Sequence, residues 1–202
     1  MARKQFKENK ESKKKSLRVI GGTWRGRKIS FADDEAIRPS PDRIRETLFN
    51  WLQNSIFDAK CLELYAGSGI LSIEALSRGA SHATIIDQTS ATIETIRQNL
   101  ASLDLEASRY SCIRSNANVW LEAQTASFDL IFLDPPFDSN ELALILPIIH
   151  TNNLLAEHGF VYVESSEALD PSLLPREWTI YRSKKAGSVH YCLININNGL
   201  SD

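Results

Sequence analysis

Residues 60–69, Lys-Cys-Leu-Glu-Leu-Tyr-Ala-Gly-Ser-Gly, constrain the fold of this chain more than any other stretch. Cys61, Leu62 and Leu64 form the short apolar run expected of a strand covered on both faces. The run stops at Ala66-Gly67-Ser68-Gly69, and Ile70, Leu71, Ile73, Ala75 and Leu76 then predict a helix. A strand passing into a helix through glycines is how α/β sheets build ligand sites at strand C-terminal ends. Glycine admits unusual φ and lets a ligand approach the backbone closely. Asp87 ends the next apolar run, Ala83-Thr84-Ile85-Ile86, twenty positions after Gly67. A carboxylate there can hold both hydroxyls of a ribose. The stretch therefore predicts a site for an adenosine-type ligand.

The details choose among such ligands. A dinucleotide site needs Gly-x-Gly-x-x-Gly and a helix N-terminus for the pyrophosphate. Here Ser72 stands at the third glycine position, and Glu63 lies inside the strand just ahead of the loop. A carboxylate opposes a pyrophosphate but suits a ligand carrying an ammonium and a sulfonium, so S-adenosylmethionine fits better than NAD. The bland alternative is a glycine-rich turn of any α/β protein, with Asp87 as a helix cap.

Around this stretch, apolar runs alternate with helical periodicity. Leu17-Arg18-Val19-Ile20 alternates like a strand before Gly21-Gly22. Ser40 as N-cap, Pro41 at the first position and Asp42 in the first turn open a helix with Ile44, Leu48, Trp51, Leu52 and Ile56 on one face. Thr89 to Leu103 predicts a second amphipathic helix, residues 109–113 a third strand, and Asn116-Ala117 the start of a short helix. Phe128 to Leu133 and Gly159 to Glu164 are further buried strands, with a helix between them that Pro147 should kink or end. Glu177 to Arg182 and Val189 to Ile196 read as a closing antiparallel hairpin whose loop carries Lys184 and Lys185. The alternation predicts an α/β fold with a mostly parallel sheet.

Charge is unevenly spread. Residues 1–28 hold eleven Lys/Arg against Glu8 and Glu11, a local net of +9 in a chain whose net charge is −2. An acidic body with a basic arm suggests an anionic polymer as partner. Trp24-Arg25-Gly26-Arg27-Lys28 interleaves an aromatic with cations, a combination that serves RNA by stacking and phosphate pairing, or equally a basic exposed hairpin. Arg43 and Arg45 fall at a helix start, where cations are locally unfavourable, which hints at a ligand or nucleic-acid contact. Residues 1–16 have almost no apolar content and should be flexible. No apolar run approaches the roughly 20 residues of a membrane span, and the lysine-rich start lacks a secretory apolar core. Cys61, Cys112 and Cys192 are isolated in apolar runs with no metal-ligand spacing, as expected of reduced, buried thiols in a cytoplasmic protein.

Asp134-Pro135-Pro136-Phe137 closes the fourth apolar strand. Prolines donate no N–H, so the turn is stiff and its carbonyls are free to accept. An exocyclic amine of a nucleobase is a poor nucleophile because its lone pair is conjugated with the ring. The Asp134 carboxylate and Pro135 carbonyl can accept its two N–H groups and turn that lone pair towards an electrophilic methyl. Phe137 can stack on a base turned out of its helix. Alternatively, the tetrapeptide is a stiffened loop with a capping Asp and a core Phe. Beside an adenosine site on the same sheet edge, the chemical reading is favoured.

Glu63-x-Tyr65-Ala66-Gly67-Ser68-Gly69, Asp87 and Asp134-Pro135-Pro136-Phe137, in this order, resemble class I S-adenosylmethionine-dependent methyltransferases that act on exocyclic amines. Arg18-Val19-Ile20-Gly21-Gly22, Arg25-Gly26-Arg27 and the block from Arg38-Pro39-Ser40 through Arg43, Arg45-Glu46-Thr47-Leu48-Phe49-Asn50-Trp51-Leu52 are similar to the bacterial small-subunit ribosomal RNA guanine-N2 methyltransferase family. The similarity runs from about Leu17 to Ile196. It implies a Rossmann-like seven-stranded, mostly parallel sheet with an antiparallel last strand. It implies a basic tail over residues 1–16, an RNA-binding hairpin over 17–37 and a methyltransferase domain over 38–202. By position, Glu63, Tyr65, Ala66, Gly67, Ser68 and Gly69 would line the methionine end of S-adenosylmethionine. Asp87 would take the ribose and Asn116-Ala117 the adenine, while Asp134, Pro135 and Phe137 would hold the guanine. Arg25, Arg27, Lys28, Arg38, Arg43, Lys184 and Lys185 would meet RNA, within an assembling 30S particle, with the protein acting as a monomer and no metal. Tyr65 stands where the family often has Phe, Thr89 where it often has an acid, and the basic tail is long. The tetrapeptide alone leaves open an adenine-N6 DNA or RNA methyltransferase, and a non-catalytic RNA-binding assembly factor is the reading from another class.

Overall fold

The computed structural model describes residues 15–31, 40–137 and 139–196. Residues 1–14 of the basic tail, and Arg38, lie outside the described residues, whereas Lys15 and Ser16 already belong to a strand. Strands β1 (Lys15–Arg18) and β2 (Lys28–Phe31) pair antiparallel as a two-stranded ribbon, with Arg18 opposite Lys28. Helix α1 (Asp42–Trp51) follows, and then the central unit β3 (Lys60–Leu64), α2 (Ile70–Ser77), β4 (His82–Asp87) and α3 (Ser90–Ser102). The chain continues through β5 (Tyr110–Arg114), α4 (Ala117–Glu122), β6 (Phe128–Leu133), α5 (Glu141–Thr151) and β7 (Leu155–Ser165). It ends in the hairpin β8 (Trp178–Ala186) and β9 (Val189–Ile196).

The large sheet has the order β5-β4-β3-β6-β7-β9-β8. All pairs from β5 to β7 are parallel, and β9 runs antiparallel between β7 and β8. The expected seven-stranded sheet is present, with its antiparallel last strand inserted inside the sheet rather than at its edge. Strand alternation sends Cys61, Ile85, Phe132 and Tyr162 to the face covered by α1, α2 and α3, and Leu62, Leu64, Ile86 and Leu133 to the face covered by α4 and α5. Val19 and Ile29 of the N-terminal ribbon join the first of these cores, so the ribbon packs as part of the main body.

Two local expectations change in the fold, and a third, that Pro147 kinks or ends its helix, narrows to the kink. Arg45 is a buried structural cation: its side chain is fully buried, pairs with Glu74 at 2.6 Å and with Asp42, and donates to the Ser40 and Arg18 carbonyls. A guanidinium offers five donors, and here they staple α1 and the ribbon to α2, which explains its place better than nucleic acid does. Pro147 lies inside α5 without ending it. Lys184 and Lys185 lie in β8 rather than in a loop, because the strands extend to a turn at Gly187-Ser188 where Gly187 takes φ +61°.

Candidate active site

Parallel strands bring their C-terminal ends to one edge, and the register makes the expected site residues neighbours. Leu64 pairs with Ile86 and Leu133, and Leu133 pairs with Val163. Asp87, Tyr65, Asp134 and Glu164 therefore follow in a row across β4, β3, β6 and β7, spanning about 14 Å at ordinary strand spacing. A cavity of about 610 Å³ opens along this row. Glu63, Tyr65, Ala66, Gly67, Ser68, Asp87, Asn116, Ala117, Asp134, Pro135 and Phe137 all line it. Gly69 does not. It sits behind the loop as the N-cap of α2 at φ +69°, where an added Cβ would meet the Ile96 side chain at 3.0 Å. Its requirement is backbone conformation and close helix packing rather than ligand contact.

At one end of the cavity, backbone amides organise the carboxylates. Asp87 accepts from the Gly67 N–H at 3.0 Å and the Thr89 N–H at 2.8 Å, which locks the loop after β3 to the loop after β4. Glu63 is buried, and its Oε2 accepts from the Ser72 N–H at 2.9 Å. Burial pushes the Glu63 carboxyl up to about 7 despite its Ser72 and Leu71 hydrogen bonds, and the nearby Asp87 charge adds to the rise. Tyr65 adopts φ +57°, a left-handed conformation uncommon for a bulky residue. Its hydroxyl donates to Glu141 at 2.7 Å, and Asn118 donates to the same oxygen at 3.0 Å. Glu141 thereby pins the ring from α5. Asn116 caps α4 by accepting from the Val119 N–H at 3.2 Å.

At the other end, Asp134 is half-buried beside buried Pro135, while Phe137 is 38% exposed at the mouth. Burial, Glu164 and Glu63 together hold the Asp134 carboxyl well above the usual carboxylate range. Ser40 was expected to cap α1, but Pro41 holds that position with no side-chain cap. The Ser40 hydroxyl donates instead to Glu164, a pairing across 124 positions. Ser40 and Ser166 also line the cavity. Sequence reasoning gave no site role to Ser40, Glu141, Asn118 or Glu164. A polar residue near the end of an apolar strand, as Glu164 is in β7, is the one available signal.

The expected RNA-facing cations divide into groups. Arg25, Lys28 and Arg43 are exposed, and Arg27 is exposed while donating to the Ser102 carbonyl at 2.6 Å. Lys184 and Lys185 are exposed on β8, with the Lys184 Nζ 6.0 Å from the Trp51 ring. Trp51, expected in the core, is half-buried at its rim and stacks against Tyr191 with 5.5 Å between ring centroids.

The geometry is matched by similarity along the chain. A family model described as conserved hypothetical protein 95 matches residues 17–195. The chain is 41% identical over 177 residues to the ribosomal RNA small subunit methyltransferase D of Escherichia coli strain K12, covering 88% of each. It is 36% identical to the protein of the same name from Haemophilus influenzae, covering 89% of this chain and 94% of that one. The solved structure of yhhF from Escherichia coli superposes with a TM-score of 0.80 at 40% identity, covering 90% of this chain and 98% of that one. Identity of this order over nearly the whole length of both partners places the chain in the small-subunit ribosomal RNA methyltransferase D family.

Proposed function

We propose that this protein transfers the sulfonium methyl of S-adenosylmethionine to the exocyclic 2-amino group of a guanine in small-subunit ribosomal RNA. The observation that carries the reading is one continuous cavity joining Glu63 and Asp87 to Asp134, Pro135 and Phe137. Its volume lies within the range of small-ligand sites. The donor set fits the cofactor. Glu63 offers a buried carboxylate to an ammonium, Asp87 offers acceptors to two ribose hydroxyls, and the Asn116-Ala117 turn faces the adenine. With the Asn116 Oδ1 committed to capping, adenine is read by its Nδ2 donors and the adjoining backbone.

When bound, S-adenosylmethionine supplies an electrophilic methyl on an excellent leaving group. The chain's own residues then supply position and charge. Asp134 and the Pro135 carbonyl accept the two N–H groups of the amine and aim its lone pair, and Phe137 stacks on the base. As the N–CH3 bond forms and the S–CH3 bond breaks, the nitrogen gains positive charge. Asp134 in its ionised form stabilises that charge and takes the surplus N–H proton, to which its raised proton affinity suits it. Arg25, Arg27, Lys28, Arg43, Lys184, Lys185 and Arg38 hold RNA phosphates. The residue 1–16 arm adds charge, and a monomer acts in the cytoplasm on an assembling 30S particle. Among the described residues no helix is long and apolar enough to cross a membrane.

The test is mass-spectrometric nucleoside analysis of ribosomal RNA from a strain lacking this protein. Loss of N2-methylguanosine at one position, restored by the gene, is expected. Loss of N6-methyladenosine instead makes the substrate adenine, and an unchanged profile makes the protein a non-catalytic factor.

A further inference from the structure

Resting on the proposed reaction, we infer that Ser40 is a guanine-selecting residue, whose hydroxyl oxygen accepts the N1–H of the target base while Asp134 holds the 2-amino group. Ser40 lines the base end of the cavity yet is only 3% exposed. Its hydroxyl proton is committed to Glu164 Oε1. The Tyr162 hydroxyl donates to that same oxygen at 2.9 Å. Both hydroxyls donate to the ionised carboxylate, and their two hydrogen bonds favour that ionised form against the burial that raises its proton affinity. Glu164 is itself 2% exposed, so water does not compete for the arrangement. A serine hydroxyl has one proton and two lone pairs. With the proton directed at Glu164, only lone pairs remain for the cavity, and Ser40 becomes an acceptor by construction.

The placement suits the Watson–Crick edge of guanine. Glu164 follows the residue paired with Leu133, so Ser40 is tethered one strand beyond Asp134, on the side away from Asp87. Guanine carries N1–H beside its 2-amino group, two donors in a row, and here two acceptors stand in a row. Adenine has a lone pair at N1. Placing it against Ser40 would set two lone pairs together, or require the hydroxyl to leave Glu164 and strand a buried acceptor. Selection of this kind exceeds what shape alone gives, because a mismatched base leaves buried polar groups unpaired.

The experiment compares guanine with 2-aminopurine, which keeps the 2-amino group but carries a lone pair at N1. Small-subunit RNA or particles from the deletion strain receive one or the other at the nucleotide located by the nucleoside analysis. Single-turnover methylation is then followed with wild type and Ser40→Ala. Loss of the base's O6 affects both enzymes alike and cancels in the comparison. Wild type should prefer guanine by about tenfold more than Ser40→Ala does, the size of one neutral hydrogen bond. S-adenosylhomocysteine affinity should be unchanged. Should Ser40→Ala fail to fold, Glu164→Gln supplies the same reading, since a carboxamide can donate to Ser40 and free its proton, lowering the preference. An equal preference in wild type and in the folded variant overturns the role of Ser40 and leaves the methyltransfer reading intact. Absence of any N2-methylation by wild type overturns the reaction itself.

Discussion

The two ends of the cavity are built differently. At the cofactor end, hydrogen bonds are close in sequence: Ser72 to Glu63 spans nine positions, Gly67 to Asp87 twenty, and Thr89 to Asp87 two. Backbone amides there satisfy the carboxylates, so one turn-and-strand unit assembles most of the end by itself. At the base end, Ser40 reaches Glu164 across 124 positions, whereas the cofactor end has a single such long tie, Tyr65 to Glu141 across 76. Side chains brought together only by tertiary packing do the holding. Strand alternation places Glu63, Asp134 and Glu164 on the same face of the sheet, and their mutual repulsion adds to burial in raising Asp134. The cofactor end is therefore a local device, and the base end is a product of the whole fold.

Substitutions can separate the two ends. The largest effect is expected for Asp134→Ala, which removes the acceptor proposed to act most strongly in the transition state. Turnover of bound substrate should fall on the order of 10²- to 10³-fold, with Asp134→Asn between it and wild type. Cofactor affinity should barely move if Asp134 faces the base as proposed. Single-turnover methylation measured alongside S-adenosylhomocysteine titration reads both quantities, and wild-type turnover in the Ala variant would reduce Asp134 to a loop cap.

Next in size is Asp87→Ala. It removes the proposed ribose acceptor and unlocks the Gly67 and Thr89 amides. Hydrogen bonds to a charged group contribute about 1.5–3 kcal/mol, so S-adenosylhomocysteine should bind roughly 10- to 100-fold more weakly by calorimetry. RNA affinity should hold. A matching loss of RNA binding would show that the two ends are coupled rather than separable.

A smaller effect should follow pH through Glu63. Burial raises its folded value from 4.5 to about 7, so the folded chain keeps a proton that the unfolded chain releases in that window. Stability should fall as pH rises from 4.5 to 7 and level off above it. A cofactor ammonium favours the ionised form, so binding should release a proton. S-adenosylhomocysteine affinity should then rise about tenfold between pH 6 and 8. Glu63→Gln should flatten both profiles, and an unchanged affinity profile in that variant would assign the titration to another group.

The smallest effect lies outside the cavity. Replacing Lys184 and Lys185 together with Ala should weaken RNA binding severalfold. The salt slope should fall by roughly one unit for each phosphate that is no longer neutralised. Cofactor affinity should stay constant. Filter binding across a salt series reads this directly, and an unchanged slope would take β8 out of the RNA-binding surface.

Local chemistry let the sequence by itself determine the succession of elements: buried strands, glycine turn, helices, Asp87 and Asp134-Pro135-Pro136-Phe137 at strand ends. Apolar periodicity and glycine conformation act over a few residues, and they are readable without the fold. Only the tertiary structure decided what solitary polar residues do. Arg45 and Arg43 are two positions apart in one helix, yet the first is a fully buried staple to Glu74 and the second is exposed. Ser40 has the profile of a helix cap, but a carboxylate 124 positions away takes its proton. Gly69 belongs to the motif without reaching the cavity, because α3 packs against it. A hydrogen bond forms with whichever partner folding brings within reach, and for long-range pairs no local pattern carries that distance.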